Sequence, residues 1–278
     1  MLIHSDWHIH SEASYDATLT LDEIACKAKQ YGFRRVGITD HANFNDPSFL
    51  GNLKDSVESV TAFQKAHPEV VLGVELTPIE KPEFDYIAKT GTREGYVAPV
   101  WDKPFDIELA QTKEELMAQG IRYAIGAAHW RVDVPNGRLQ PRDLDADVKE
   151  WYRQQMYLAC DERVTVLGHP WCNSKSPWYQ DFSLIPHSMN LEIGAALKEN
   201  GKYVECNAHF FRAVTATEKF RCQYAEFLRE MHEMGVPVTY GSDAHKEYKN
   251  DYLRVEEYLA AAGFKDGDIV EIKEEHFW

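Results

Sequence analysis

Two histidines one residue apart, in Asp6-Trp-His8-Ile-His10, put both imidazoles on one face of an extended strand, a spacing suited to gripping one cation. Thr39-Asp40-His41 ends an apolar run, with Asp40 available to bond an imidazole nitrogen or to cap the turn that follows. In Gly73-Val-Glu75 a carboxylate closes the run Val70-Val-Leu-Gly-Val, where an unpaired acid is costly to bury and a nearby cation would offset the cost. Gly126-Ala-Ala-His129 and Gly168-His169-Pro each set an imidazole after small residues. Gly241-Ser-Asp243-Ala-His245 offers an acid and an imidazole two positions apart. Singly, each unit reads as well as a structural histidine or acid. Together they supply nitrogen and carboxylate donors without a thiolate, which leaves Zn, Mn and Fe open.

Hydrophobic periodicity shows what brings these units together. Apolar runs at 2–10, 35–41, 70–77, 122–129, 164–169, 203–207 and 237–243 read as strands. Helical patterns fall between them, at 20–31, 53–65, 112–119, 143–160, 190–200, 218–234 and 256–262. The first opens on a capping box, Thr20-Leu-Asp-Glu23, and closes at Gly32. Alternation of this kind predicts an α/β fold with parallel strands, and seven units favour a distorted (β/α)7 TIM-like barrel over an open sheet. In a parallel barrel every strand ends on one rim, so His8, His10, His41, His129, His169 and His245 would converge there with Asp16, Glu75 and Asp243. The convergence predicts a polynuclear metal site at the C-terminal ends of the strands. His4, His67, His187, His209, His232 and His276 show no such pattern. The 278 residues are then accounted for as one domain, 1–278, with a Pro-, Gly- and charge-rich insertion at 78–111.

Composition narrows the partners. A formal charge of −15 disfavours broad nucleic-acid binding, which depends on neutralising phosphates, although Arg34 and Arg35 could form a local basic patch. No run reaches the length of a membrane span. Cys26, Cys160, Cys172, Cys206 and Cys222 form no C-x-x-C pair, and the N-terminus carries no secretory pattern, so a reducing cytoplasm is the expected compartment. A small substrate is favoured.

Taken in order, these motifs resemble the polymerase and histidinol phosphatase (PHP) family across essentially the whole chain. That resemblance implies phosphoester hydrolysis at three divalent metal ions. By it, His8, His10, Glu75 and Asp243 would hold the first ion, Glu75 with His129 and His169 the second, and Asp16, His41 and His245 the third. Some relatives carry a histidine where Asp16 stands. The expected substrate is a small phosphomonoester, with histidinol phosphate the specific favourite. A nucleotide phosphatase or phosphodiesterase and a non-catalytic metal-binding scaffold are the alternatives. Asp243 and His245 are candidates for proton delivery. Asn207, Arg131 and Arg212 are candidates for holding the substrate, against Asn207 tying down a loop and the two arginines lying on the surface, and Trp130 and Trp171 read equally as walls of the pocket or as core packing.

Overall fold

A computed structural model of the chain describes residues 1–42, 49–82, 84–85, 104–129 and 143–278. Its elements follow the predicted alternation: β1 (Ser5–Ile9), α1 (Leu21–Tyr31), β2 (Arg35–Ile38), β3 (His41–Ala42), α2 (Phe49–Phe63), β4 (Val70–Leu72), β5 (Val74–Leu76), β6 (Ile79–Glu80), β7 (Ile107–Glu108), α3 (Lys113–Ala118) and β8 (Ala124–Ala127). The second half continues with α4 (Leu144–Cys160), β9 (Val166–Gly168), α5 (His187–Glu199), β10 (Tyr203–Asn207), α6 (Ala208–Arg212), α7 (Glu218–Glu233), β11 (Val238–Gly241) and α8 (Tyr252–Ala261).

Local chemistry explains several boundaries. The Thr20 side chain accepts from the Glu23 amide while Glu23 reaches back to the Thr20 amide, and Gly32 ends α1 at φ 76°. Thr112 and Glu115 repeat the same reciprocal cap at the start of α3. The apolar runs at 35–41 and 70–77 are each interrupted once. β4 pairs with β2 before Gly73, and β5 pairs with β3 and β8 after it. Gly73 is needed at that break because a Cβ would press into the Tyr123 ring. Amphipathic patterns placed some helix starts too late: α2 begins at Phe49, α5 at His187 and α8 at Tyr252. In α5 the exposed first turn, His187-Ser188, hides the start from a periodicity reading. The short α6, directly after β10, was not anticipated.

The strands form two parallel sheets, ordered β1-β2-β4 and β11-β10-β9-β8-β5-β3. Thr39 N–H donates to Ile9 O at 2.8 Å and Gly73 N–H to Ile38 O at 2.8 Å, extending the first sheet, and Arg122 N–H, just before β8, donates to Leu72 O of β4 at 2.9 Å, joining the two. The residues after β11 return to β1, where Asp243 N–H donates to His8 O at 2.8 Å and His10 N–H to Ala244 O at 3.0 Å. Neighbours therefore run from β1 through β2–β3, β4–β5, β8, β9, β10 and β11 back to β1, a distorted (β/α)7 TIM-like barrel.

Two apolar clusters hold this frame. The larger packs strands against helices and includes Ile24, Ile38, Leu72, Leu158, Phe210, Phe220, Tyr224 and Leu228. The smaller joins Trp7, Val71, Tyr123, Ile125, Val166 and Tyr203, contributed largely by different strands, with Ile272 from the C-terminal segment. Phe277 packs on it, stacked with Tyr123 at a centroid distance of 6.1 Å. On β10, Tyr203, Glu205 and Asn207 share one face by strand periodicity, so one strand carries this apolar layer at its start and polar groups at its C-terminal end. The ends of the insertion pair antiparallel as β6 and β7. Arg153 pairs with Glu80 and Asp106, and Arg163 bonds Glu108, so both insertion ends are tied to α4 and the loop after it. The rest of the insertion, residues 83 and 86–103, lies outside the described residues.

Candidate metal centre

At the C-terminal ends of the strands the backbone delivers all nine candidate ligands to one locality. β1 supplies His8 and His10, its following loop Asp16, β3 His41, β5 Glu75, the ends of β8 and β9 His129 and His169, and the loop after β11 Asp243 and His245. Among the described residues, ligand atoms converge in three sets: His8, His10 and Asp243; Glu75, His129 and His169; and His10, His41 and His245. In the last, His10 stands where Asp16 was expected. Asp16 is nonetheless close, with Oδ1 at 3.4 Å from His41 Nε2 and Oδ2 at 3.6 Å from His245 Nε2. Glu75 is the hub. Its oxygens lie 3.0 Å from His169 Nε2, 3.5 Å from His129 Nε2, 2.7 Å from His41 Nδ1, and 3.6 Å from Nε2 of both His8 and His10.

The outward nitrogens explain how the rings are aimed. Glu205 accepts from His8 Nδ1–H at 2.7 Å, and the Asp243 carbonyl accepts from His245 Nδ1–H at 3.1 Å. Ser14 gives its hydroxyl proton to Asp40, so it accepts from His10 Nδ1–H at 3.3 Å. Each bond fixes a tautomer and turns Nε2 inward. The facing Nε2 atoms of His8 and His10 are 3.2 Å apart, a contact that needs a proton or a cation between two lone pairs. Asp16 Oδ1, both nitrogens of His41, Glu75 Oε2 and His169 Nδ1 are buried with no aligned hydrogen bond, His41 meeting Glu75 Oε2 at 2.7 Å and Asp16 Oδ1 at 3.4 Å only as close ion pairs. Buried polar atoms are seldom left so, and four of these five belong to atoms that crowd the centre. The donor set and its orphaned atoms fit divalent cations.

Electrostatics point the same way. Burial alone would raise the pKa values of Glu75 and Asp243, yet the surrounding imidazoles hold both carboxyls well below the usual range. Burial lowers His129 to about 4 and pushes His10 well down, so both are neutral and able to bind a metal. Burial opposes protonation of His41 too, but Glu75 and Asp16 raise it to about 10. His8 is likewise raised, by Glu205, Asp243 and Glu75. A histidine raised in the folded state stabilises it fully below the reference value near 6.5, and that contribution is lost as pH rises through about 10. An incoming cation must displace the His41 proton. Loading the metal-free protein at neutral pH is therefore expected to release protons, from His41 and from the likewise raised His8. Calorimetry in buffers of different ionisation enthalpy measures the release, and buffer-independent heats would contradict the assignment.

Backbone strain is concentrated here. His169, Trp171 and Asp243 have φ of 24°, 66° and 52°, values that residues with a Cβ adopt at a cost of about 1–3 kcal/mol. Neighbouring groups hold these turns. Glu205 accepts the His169 amide, and the Arg212 guanidinium donates to the carbonyls of Ser242 and Asp243 and to Asp251.

Other expected residues have mixed positions. Asn207 is fully buried; its amide reaches Glu205 and Asp243, and its oxygen caps α6 through the His209 amide. Arg212 lines an open pocket of about 870 Å³ beside the centre, together with Asp16, His209, Asp243, His245 and Lys246. Arg131 and Trp130 lie outside the described residues. Trp171 is wholly buried, with its indole N–H on Asn190, so it belongs to the core and not to a pocket wall. Asp40 does not meet an imidazole. It accepts from Ser11, Ser14 and Ser56, tying the loop after β1 and helix α2 to the strand that carries His41.

Sequence reasoning missed Glu205, Asp6 and His209. Glu205 sits within an apolar strand, two residues before Asn207, and that pattern of a buried acid was its available signal. Asp6, buried beneath His8, takes bonds from the Ser242 amide and Tyr248, and burial raises its pKa to about 6. His209 lies on the unanticipated α6. Arg34 and Arg35 form no free basic patch, since each faces a glutamate, Glu271 and Glu274 respectively.

Comparison with known proteins follows this geometry. The PHP domain family model matches residues 6–209. A probable phosphatase of Acetivibrio thermocellus is 26% identical over 250 residues, covering 88% of this chain and 80% of that protein. The histidinol phosphate phosphatase of Lactococcus lactis, solved in complex with zinc, L-histidinol and phosphate, superposes with a TM-score of 0.70 at 17% identity. That match covers 100% of this chain and 99% of the other. No helix among the described residues is long and apolar enough to cross a membrane.

Proposed function

Because the chain belongs to the PHP domain family, we propose that it is a metal-dependent phosphoesterase hydrolysing a small phosphomonoester, with histidinol phosphate the first candidate. The observation that carries this reading is the convergence of imidazole and carboxylate atoms around Glu75, several of them buried without aligned hydrogen bonds. In this reading His8, His10, Glu75 and Asp243 hold one divalent ion, Glu75, His129 and His169 a second, and Asp16, His41 and His245 a third. Zn, Mn and Fe all suit the donors. Such ions, when bound, polarise phosphoryl oxygens and make water nucleophilic near neutral pH.

The chain's own residues do the rest. Asn207 and Arg212 hold the loop that carries Asp243, and Arg212 presents its guanidinium along the pocket where phosphate oxygens would arrive. Asp243 is held ionised, which suits a ligand and not a proton donor. His245 also lines the pocket, but with Nε2 turned to the third ion and Nδ1–H on the Asp243 carbonyl it too is a ligand, so neither group delivers the proton in this reading. Substrate selection then falls to the pocket rim, including His209 and Lys246. The neighbour's complex with L-histidinol and phosphate supports a small polar substrate.

The test is a panel of phosphomonoesters, including histidinol phosphate and nucleotides, with Zn, Mn and Fe added separately. Turnover of at least one monoester with at least one metal is expected. A metal-loaded protein inert toward the whole panel would favour a metal-binding scaffold instead.

A further inference from the structure

We infer that Glu205 is a positioning residue shared by two ligand sets, and that through it the ions at His8–His10–Asp243 and at Glu75–His129–His169 bind as a linked pair. The inference rests on the metal-centre reading above. Glu205 is 1% exposed, near the centre of β10. One carboxylate oxygen accepts His8 Nδ1–H at 2.7 Å, and the other accepts the His169 backbone N–H at 2.5 Å and the Asn207 amide at 3.1 Å. Thus a single rigid group touches one member of each set, on β1 and at the end of β9. Among the described residues no Lys or Arg pairs with it; its one ion-pair partner is His8. A buried acid supplied with these donors is fixed in orientation, and its partners are fixed with it.

The two contacts do different work. At His8 the bond fixes the ring tautomer and turns Nε2 toward the centre. At His169 it holds the main chain at φ 24°, which sets where the imidazole leaves the strand. Neither oxygen can follow one partner without leaving the other. The opposite wall enforces the position, because a Cβ on Gly241 would overlap the Glu205 carboxylate and come within 2.6 Å of His8 Cβ. Gly241 therefore has no side chain for a steric reason, even though its backbone lies in an ordinary strand.

Two variants test the inference. In Glu205→Gln the amide can offer an oxygen to His8 or to His169, but its NH2 then opposes the other donor. In Gly241→Ala the carboxylate is retained and displaced. Wild type and both variants are stripped, and zinc uptake is followed by competition with a colorimetric chelator and by metal analysis, with folding checked by circular dichroism. The expected result is that two zinc equivalents weaken together by roughly 10–100-fold, as for lost supporting bonds at metal sites, while the equivalent assigned to Asp16, His41 and His245 is retained. The absorption bands of the cobalt-substituted protein are expected to change in both variants. Unchanged affinity in a folded variant, or weakening of one equivalent alone, would overturn the linkage. Absence of zinc uptake by the wild type would instead overturn the metal-centre reading itself. Should Glu205→Gln fail to fold, Gly241→Ala decides the question through the equivalent at Glu75–His129–His169, since its Cβ presses on Glu205 and His8 but on none of those three.

Discussion

Replacing Glu75 by glutamine is expected to reduce phosphomonoester hydrolysis by roughly a thousandfold or more, because ions at such centres supply several kcal/mol of transition-state stabilisation and each 1.36 kcal/mol is a factor of ten. Among the described residues Glu75 is the one acid within 3.6 Å of five imidazoles, those of His8, His10, His41, His129 and His169. Glutamine keeps the shape and removes the charge. It leaves His41, raised to about 10 largely by Glu75, without its principal counter-charge, so metal-free His41 should become easier to deprotonate. Removing one partner from a buried charged group also costs stability, by about 3–5 kcal/mol where no compensation exists. The apolar clusters around the barrel do not involve Glu75, so the variant is expected to fold with a lowered melting temperature. Steady-state kinetics with an aryl phosphate, beside circular dichroism, makes the comparison. A folded Glu75→Gln variant with wild-type turnover would defeat the site.

Metal removal has the second largest expected effect. Chelation should abolish turnover, and adding back Zn, Mn or Fe should restore it. It should also lower thermal stability, since a ligand that binds only the folded state stabilises it by about 4 kcal/mol when free ligand exceeds its Kd a thousandfold. The structural reason is the crowd of atoms without aligned hydrogen bonds at the centre, Asp16 Oδ1, Glu75 Oε2 and the His41 nitrogens. Without metal, protons on His8 and His41 partly take that role, since both are raised by adjacent carboxylates despite burial. Acid and metal removal therefore act in the same direction on activity, because His ligands must be neutral to bind a cation. A scanning calorimetry trace identical before and after chelation, with activity unchanged, would contradict this expectation.

Much of this molecule was legible from particular residues. Period-two spacing placed His8 with His10, and the ends of apolar runs marked His41, Glu75, His129, His169, Asp243 and His245. The barrel-rim rule then brought them together, because parallel strands that each end in a polar residue must gather those residues on one side. Thr20–Glu23 and Gly32 located the first helix almost to the residue. What escaped the reading depends on distance in the chain. Glu205 looks like one polar residue in an apolar strand, and only folding shows that it serves His8 and His169, while Asn207, singled out as a substrate contact, bonds Glu205 and Asp243 instead. Asp40 looked like a partner for an imidazole or a cap, but three serines from two segments, the loop after β1 and helix α2, reach it first. Trp171 read equally as a pocket wall or as core, and a left-handed turn after His169 sends its ring into the core. The splitting of strands at Gly73 is likewise a packing effect, set by Tyr123 some fifty residues later.

The most direct measurement is anomalous diffraction at a metal absorption edge from crystals loaded with zinc and inorganic phosphate. The account predicts peaks inside the three ligand sets, with Glu75 in contact with at least one ion and phosphate bound on the pocket side beside Arg212. Peaks confined to surface residues, or no peak at Glu75 in fully loaded protein, would contradict it.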